Sequence, residues 1–149
     1  MPELPDVETF RRYVDATSLH QRIAGVDLDA TRMLQGARAD EIRGALTGGR
    51  FERTERRGKF LFVAIDDGPW LVLHFGMTGN LQYFQDPDAD TPHNRLKLIF
   101  KNRHSLIYDC QRKLGQIRLI KDLEAFWRSV DCGPDALEDL DAPGFVRLL

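Results

Sequence analysis

Apolar residues recur at helical spacing near the start of the chain and at alternate positions through most of its middle. Val7, Phe10 and Val14 lie three or four residues apart, which predicts an amphipathic helix over residues 5–17. Farther along, the apolar period changes to two, the spacing typical of strands with one face in a core. Short strands are therefore predicted over residues 51–56, 59–65, 70–75, 81–84, 95–100, 105–108 and 116–120, and a further short strand is predicted over residues 23–28.

Tight-turn sequences such as Asp66-Asp67-Gly68-Pro69 separate most of these strands and indicate antiparallel pairing. A second helix is predicted over residues 40–46, capped by Ala39 or Asp40, and a third over residues 122–130. We therefore predict a mainly β fold with flanking helices. It is an antiparallel β-sandwich or flattened barrel of about eight strands, with an N-terminal helix and with the first two helices packed at the sheet edges.

The length and the C-terminal sequence indicate the domain organisation. The 149 residues are enough for one domain with a hydrophobic core, which we predict to be residues 1–131. Residues 132–149 are predicted to be a linker and the truncated start of a helical domain, because Asp141-Ala142-Pro143 opens a helix that the remaining residues do not complete. We therefore expect the chain to be part of a longer protein.

Composition narrows the possible classes of protein. No apolar run approaches the length of about 20 residues that crosses a membrane, and no signal peptide opens the chain. The cysteines are Cys110 and Cys132, and neither lies in a CxxC motif or a His/Cys cluster. We therefore predict no metal site within the chain and no membrane partner, and a cytoplasmic location, because two lone thiols suit a reducing compartment.

The net charge of −2 is distributed unevenly. Residues 122–149 contain seven acids and two arginines; removing these from the chain's 21 basic and 23 acidic residues leaves 19 and 16, a charge of +3 over residues 1–121. Five basic residues fall in one ten-residue stretch: Arg50, Arg53, Arg56, Arg57 and Lys59. They are either solvated side chains on strand faces or part of a shallow basic surface for phosphates.

The residues that follow Met1, Pro2-Glu3-Leu4-Pro5-Asp6-Val7-Glu8-Thr9, combine groups that a covalent catalyst needs. Once Met1 is removed, Pro2 presents a secondary α-amine; α-amino groups titrate at about 7.7–8.0, so a neutral, nucleophilic fraction exists near pH 7. Glu3 can act as an acid or a base, and the helix that follows has its positive dipole end here. A proline near a helix start also occurs without any catalytic role, so this opening needs support from other segments.

That support comes from a family resemblance. The opening segment resembles the N-terminus of the formamidopyrimidine-DNA glycosylase and endonuclease VIII family, with Asp6 in place of a glutamate. The segment Arg56-Arg57-Gly58-Lys59-Phe60-Leu61 resembles the family's hairpin whose lysine enters the active site. The segment His74-Phe75-Gly76-Met77-Thr78-Gly79 resembles the loop whose methionine fills the gap left by a nucleotide rotated out of the duplex. Lys59 and Met77 are thus candidate site residues.

Three further segments resemble the family. Within residues 109–115, Arg112 stands where the family has an arginine that hydrogen-bonds the orphaned opposite base, typically cytosine, and Leu114 replaces a wedging phenylalanine, which removes aromatic stacking. His93 stands where the first histidine of a family motif lies near a target phosphate, so it is a candidate phosphate donor. Residues 133–137 resemble the family's linker into a helical domain.

The resemblance implies a bifunctional DNA glycosylase with AP lyase activity that excises oxidised bases, of the purine type, from damaged double-stranded DNA. Pro2 would attack C1′ of the flipped nucleotide to form an iminium, Glu3 would protonate the sugar ring oxygen, and Lys59 would hold the phosphate or sugar. The expected protein is a monomer, associated with the nucleoid if bacterial. No cofactor is expected in this chain, although full-length family members usually carry one zinc ion in a C-terminal finger.

Other interpretations remain open. The chain could be a non-catalytic damaged-DNA-binding module of the same family, a member of its oxidised-pyrimidine branch, or an unrelated β-sandwich interaction protein. The mechanism also depends on removal of Met1, because a retained Met1 makes the Pro2 nitrogen an amide. Without a helical domain and zinc finger, the isolated 149 residues are expected to bind DNA weakly, with strong salt dependence, and to have little or no glycosylase activity.

Overall fold

The computed structural model describes residues 4–28, 33–35, 37–66, 68–76, 79–111 and 115–129, with the side chains of helix α1 described from Val7 onward. Its helices are α1 (Leu4–Thr17), α2 (Ala39–Leu46) and α3 (Leu123–Ser129). Its strands are β1 (Ile23–Leu28), β2 (Leu34–Gln35), β3 (Phe51–Arg57), β4 (Phe60–Ile65), β5 (Trp70–His74), β6 (Gly79–Phe84), β7 (Asn94–Phe100), β8 (Ser105–Cys110) and β9 (Gln116–Ile120).

The strands form two sheets, which confirms the predicted mainly β fold with an N-terminal helix. One sheet has four strands in the order β1-β7-β8-β6, and the other has five in the order β2-β9-β5-β4-β3. The pairs are antiparallel except β2–β9, which is parallel. The sequence did not predict β2, because Leu34 and Gln35 are too few residues to show an alternating pattern.

The main core lies between the two sheets and is closed on one side by α1. Val7 and Val14 of the helix are buried, and Phe10 packs on Phe75 with ring centroids 4.6 Å apart. The helix contacts β3 and β4 of one sheet and β6 of the other. The apolar stripe that predicted α1 is therefore the face that joins the two sheets at their edge.

A smaller core covers the outer face of the five-stranded sheet. Leu123 and Phe126 of α3 pack there against apolar side chains of β4 and β5: Phe60, Phe62, Ala64, Trp70 and Val72. Both strands are consequently buried on both faces over most of their length. The alternating pattern predicted for these two strands is wrong, because α3 covers the face that would otherwise meet water.

The predicted cap of α2 is also wrong. The N-cap residue is Arg38, whose backbone N–H donates to the Glu41 carboxylate at 3.1 Å. A glutamate at the third helical position can bond back to the N-cap amide without a Ser, Thr or Asp at the cap.

In the part of the chain that the structure describes, no helix is both long and apolar enough to span a bilayer.

Candidate active site

We call one end of the sandwich the loop end: there β3 meets β4, β5 leads into β6, β7 begins and β8 leads into β9. In the five-stranded sheet, Phe60 pairs with His74 and His74 pairs with Gln116, so the starts of β4 and β9 flank the end of β5. In the four-stranded sheet, Gly79 at the start of β6 lies opposite Cys110 at the end of β8. The β5–β6 and β8–β9 connections both cross between the sheets, so these strand ends face one another.

Tyr108 joins the two sheets at the loop end. Its hydroxyl donates to the carbonyl oxygen of His74 at 2.5 Å, and its ring packs edge-on against Phe75. Burial raises the pKa of Tyr108, so the phenol remains a neutral donor. Gly115 has no room for a side chain here, because an added Cβ would lie 2.0 Å from the Tyr108 hydroxyl. The β8–β9 connection is therefore packed tightly where it enters β9.

Helix α1 starts at the loop end. Glu8, near its start, accepts a hydrogen bond from Nε of Arg56 at 3.3 Å, and Arg56 is the penultimate residue of β3. Asp15, near the other end of the helix, accepts from the Thr54 hydroxyl at 2.5 Å. The helix therefore runs away from the loop end, and its N-terminal, positive dipole end is the end that follows Pro2 in the sequence.

Lys59 lies at the loop end in the two-residue turn between β3 and β4. Arg57 pairs with Phe60 across the turn, and Gly58 has φ of +58°, in the left-handed region that favours glycine. A glycine at the first turn position is typical of tight hairpins, and the turn moves the start of β4 from the predicted Lys59 to Phe60. The half-buried Lys59 is close enough to His74 for its charge to affect the titration of that imidazole.

His74 is a second titratable group at the loop end. Its Nδ1 accepts the backbone N–H of Gly76 at 3.1 Å, so the neutral ring carries its proton on Nε2. Burial lowers the pKa of His74, and the positive charges of Lys59 and Arg118 lower it further. Since the folded state lowers this pKa, neutral His74 contributes its full stability above the usual value of 6.5, and that contribution is lost as the pH falls through the folded pKa.

Removing the charge of Lys59 is expected to raise the pKa of His74, because Lys59 is the first of the two cations that lower it. An NMR titration of the His74 ring in Lys59→Gln measures this shift directly. Lys101→Gln removes the same charge from an exposed residue that follows β7 at the opposite end of the sandwich, and should leave His74 unchanged. An unshifted His74 in Lys59→Gln would contradict the proximity of the two groups.

The candidate residue His93 is held at the loop end by its backbone. Its N–H donates to the Asp109 carboxylate at 3.0 Å, and its carbonyl oxygen accepts the Cys110 N–H at 3.0 Å. Close by, the Arg95 guanidinium donates to the carbonyl oxygens of Cys110 and Gln111 at 2.8 and 3.2 Å. These contacts anchor the start of the β8–β9 connection, which contains Arg112 and Leu114 in the sequence.

The β5–β6 connection, which contains Met77 in the sequence, has a glycine at each end of its described part. Gly76 has φ of +59°. Gly79 donates its N–H to the carbonyl oxygen of Phe75 at 2.8 Å, and its Cα lies so close to that backbone that a Cβ would come within 2.4 Å of the oxygen. The close contact between the backbones of Gly79 and Phe75 therefore holds the end of β5 next to the start of β6.

Gly79→Ala is expected to destabilise the fold by about 1–3 kcal/mol, the usual cost of forcing extra atoms into a packed site. The three atoms nearest to the added methyl would all be backbone atoms of Phe75, which cannot rotate away. Gly25→Ala is the matched control, since no atom lies within 4 Å of the new Cβ in β1. Urea unfolding of the two variants provides the comparison, and equal stabilities would show that the connection adapts to the methyl group.

The basic stretch over residues 50–59 forms mostly internal contacts. Arg50 pairs with Glu52 at 2.7 Å, and Arg56 pairs with Glu8. Of the remaining two arginines, Arg53 stacks on Trp70 at 4.7 Å and Arg57 pairs with Glu55 and Glu124. For these four arginines the structure favours a structural role over a phosphate surface, because their charges are already neutralised or stacked.

The described residues bring together only part of the predicted site. Lys59 and His93 both lie at the loop end. The other candidates lie outside the described residues: Pro2, Glu3, Met77, Arg112 and Leu114. The described elements that flank them in sequence lie at this same end, namely the start of α1, the end of β5, the start of β6, the end of β8 and the start of β9. The predicted linker, residues 132–149, also lies outside the described residues.

Sequence reasoning missed three residues at the loop end: Arg56, His74 and Arg95. Arg56 and His74 fall within two of the segments that resemble the family, so the sequence did contain a signal for these two residues. Strand alternation also indicates that Arg56 and Arg57 face opposite sides of β3. The acceptors of Arg95 lie 15 and 16 residues away in the sequence, and no sequence spacing predicts such a contact.

Within the described ranges, no group of three or more His, Cys, Asp or Glu side chains is placed to hold a metal ion. Cys110 is buried among apolar residues of the main core. The titratable groups that the structure describes at the loop end include the Lys59 ammonium and the His74 imidazole.

The chain is similar in sequence to formamidopyrimidine-DNA glycosylases. The model of the formamidopyrimidine-DNA glycosylase N-terminal domain matches residues 1–117. The formamidopyrimidine-DNA glycosylase of Chloroflexus aggregans is 35% identical over 147 residues, which cover 98% of this chain and 53% of that protein. That of Synechococcus elongatus is 34% identical over 133 residues, or 89% of this chain and 44% of that protein. The chain spans about half the length of the curated relatives it matches.

Solved structures share the fold. Wild-type Lactococcus lactis Fpg (MutM), in complex with DNA containing N7-benzyl-Fapy-dG, matches with a TM-score of 0.82 and 30% identity, covering 89% of this chain and 49% of that chain. MutM in complex with DNA containing carbocyclic 8-oxo-G matches with a TM-score of 0.78 and 30% identity, covering 85% of this chain and 48% of that chain. The family model matches residues 1–117, and the sandwich superposes on these structures. The chain therefore belongs to the family of formamidopyrimidine-DNA glycosylase N-terminal domains.

Proposed function

We propose that this chain is the catalytic domain of a DNA glycosylase and AP lyase that excises oxidised purine bases from duplex DNA. The observation that carries the proposal is the position of α1: its start, which follows Pro2 and Glu3 in the sequence, lies beside the hairpin that contains Lys59. The family match over residues 1–117 supports the same chemistry. The activity is proposed for the complete product of the gene.

The proposed first step is attack of the Pro2 amine, in its neutral form, on C1′ of the flipped nucleotide. The N-glycosidic bond breaks, and the base leaves with its electron pair and takes up a proton. Glu3 protonates the ring oxygen as the sugar opens, which leaves an iminium between Pro2 and C1′. The iminium withdraws electrons and acidifies C2′, so that a proton is lost there and the 3′ phosphate leaves. Loss of a proton from C4′ of the conjugated iminium then expels the 5′ phosphate.

Lys59 and His93 are proposed to hold the DNA backbone during these steps. The Lys59 ammonium would neutralise charge on a phosphate or on the sugar, and the half-buried His93 would donate to a phosphate oxygen. The backbone contacts of His93 with Asp109 and Cys110 support this role, because they hold the residue at the loop end.

Met77 and Leu114 are proposed to fill the gap left by the flipped nucleotide, with Arg112 bonding the orphaned cytosine. Both wedges belong to connections that cross between the sheets at the loop end. A long unbranched methionine adapts to a gap between base pairs, and leucine fills volume without aromatic stacking. The anchoring of the β8–β9 connection by Arg95 supports this assignment.

We further propose that the protein acts as a monomer in the cytoplasm, at the nucleoid if its source is bacterial, with no membrane partner. Residues 1–131 are proposed as the domain and residues 132–149 as a linker and the start of a helical domain. The proposed reaction uses an amine, a carboxylate and an ammonium of the chain, so we propose no cofactor for it.

The test is base release and strand cleavage on a duplex with 8-oxoguanine opposite cytosine, using the complete gene product with Met1 removed. We expect release of the oxidised base and a nicked strand, together with a covalent adduct when borohydride is present. Release of an oxidised pyrimidine instead would assign the chain to the other branch of its family. Tight binding without base release or adduct would make it a non-catalytic module.

A further inference from the structure

We propose that Arg56 is a positioning residue that holds the Lys59 hairpin in register with the N-terminal end of α1. The inference rests on the function proposed above, in which a nucleophile before α1 and the Lys59 ammonium act on one nucleotide. Arg56 is proposed to set the separation between the elements that bear these two groups.

One buried guanidinium bonds both elements. The Arg56 side chain is only 6% exposed, and its Nε donates to the Glu8 carboxylate of α1 at 3.3 Å. Its Nη1 donates to the carbonyl oxygen of Gly58 at 3.2 Å, in the residue directly before Lys59. The planar guanidinium presents its donors in a fixed geometry, so the two acceptors cannot move independently.

Further hydrogen bonds hold Glu8, the residue of α1 that Arg56 contacts. Glu8 also accepts hydrogen bonds from Arg11 at 2.9 and 2.5 Å and from Arg12 at 3.1 Å. The Arg11 hydrogen bond is the largest cause that lowers the pKa of Glu8 to about 2, and Arg12 and Arg56 add to it against the opposing effect of burial. Glu8 is therefore ionised throughout the pH range in which a glycosylase would be assayed.

The neighbouring residue Arg57 faces the other side of β3 and holds the hairpin from outside. It pairs with Glu124 of α3 and lies 6.0 Å from the ring of Trp127. The two adjacent arginines thus connect one turn to two different helices, as strand alternation requires. Between them, Arg56 is the one that faces α1.

Thr54 provides a matched control for this link. Its hydroxyl also joins β3 to α1, through Asp15, but it lies two residues farther from the hairpin and near the opposite end of the helix. Thr54→Val removes this hydrogen bond at nearly constant volume. A general loosening of α1 from β3 should appear in both Thr54→Val and Arg56→Met, whereas loss of hairpin position should appear in Arg56→Met alone.

The first measurement does not require activity. ¹⁵N relaxation is expected to show rigid Gly58 and Lys59 amides in the wild type, with order parameters near the usual 0.85, and values that fall towards about 0.6 in Arg56→Met. Thr54→Val should leave both amides unchanged. Arg56→Lys should give intermediate values, because a single ammonium cannot reach Glu8 and Gly58 in the same fixed geometry.

The second measurement is the single-turnover rate of borohydride-trapped adduct formation on 8-oxoguanine duplex, at a temperature where all variants are folded. A misplacement of about 1 Å at a reacting centre costs on the order of 100-fold, so we expect Arg56→Met to slow the adduct step by about 10- to 100-fold. DNA affinity should stay at the wild-type value, since Arg56 is buried away from solvent. Arg56→Lys should recover part of the rate.

The outcomes separate this inference from the proposed function. Unchanged Gly58 and Lys59 order parameters in Arg56→Met overturn the inference, whatever the activity. The same holds if Thr54→Val and Arg56→Met lose equal rate, or if the loss lies wholly in DNA affinity. A wild-type protein that forms no adduct refutes the proposed function, while the relaxation data still decide whether Arg56 holds the hairpin.

Discussion

Retention of Met1 is expected to abolish the borohydride-trapped adduct with DNA that contains an oxidised base. A retained Met1 converts the Pro2 nitrogen from a secondary amine into an amide, whose lone pair is delocalised into the carbonyl group and is not nucleophilic. The proposed mechanism passes through a bond between this nitrogen and C1′, which an amide nitrogen does not form. The expected loss is complete, not partial.

The comparison requires two preparations of one protein that differ only in Met1, with the N-terminus of each verified by intact mass. Affinity for the damaged duplex at fixed salt is measured in parallel, because an added residue could also obstruct binding. For the processed protein, the rate of adduct formation should rise with pH as the amine loses its proton, through the ordinary range of about 7.7–8.0. An adduct from the Met1-containing protein would require a different nucleophile.

Lys59→Gln is expected to lower the single-turnover rate of base excision by about 100- to 1,000-fold, the usual cost of removing one preorganised group that stabilises developing charge. The effect is expected to be specific to Lys59 because of its position in the β3–β4 hairpin. Lys59 is half-buried beside His74, where a charge is less screened than on the open surface. Glutamine keeps most of the length and polarity of the side chain and removes only the charge.

Lys101→Gln is the control for this substitution, since it makes the same change in net charge at the opposite end of the sandwich. It should weaken DNA binding only through the general field of the protein and should leave the excision rate at saturating enzyme unchanged. Lys59→Arg should keep part of the activity because the charge remains. Equal excision rates for Lys59→Gln and Lys101→Gln would remove Lys59 from the proposed mechanism.

The prediction for His74 complements that for Lys59, because it measures the same charge without any substrate. A raised pKa of His74 in Lys59→Gln, together with a slow excision rate, would connect the loss of activity to the charge at the loop end. An unchanged titration together with a slow rate would instead indicate that the substitution moves the hairpin. The Arg56 and Thr54 variants then identify which contact controls that movement.

Most elements of the fold could be predicted from the sequence. The stripe of Val7, Phe10 and Val14 predicted α1 to within one residue, and β1 and β9 have the predicted bounds. The predictions of α1 and β9 succeeded because both elements have a regular apolar period along the chain. Strand β2 and the cap at Arg38 were missed, because neither depends on a local period: β2 forms through pairing with β9, and the cap through the Glu41 side chain.

The candidate site, like the fold, could be predicted only in part from the sequence. Motif resemblance selected Lys59 and His93, and the structure places both at the loop end. Resemblance did not indicate that Arg56 holds Glu8 across 48 residues of sequence, or that Arg95 anchors the carbonyl oxygens at the end of β8. These contacts require two strands, or a strand and a helix, to be packed in one particular register.

The sequence alone predicted the groups that we propose for the chemistry: the Pro2 amine once Met1 is removed, the Glu3 carboxylate and the Lys59 ammonium. It also predicted the amphipathic helix from its apolar period and the antiparallel strand pairs from the tight turns between the strands. Only the tertiary structure decided that α1 begins beside the Lys59 hairpin and that Arg56 bonds both. The physical reason is that the direction of a helix across a sandwich depends on side-chain packing between distant segments, which no local pattern encodes.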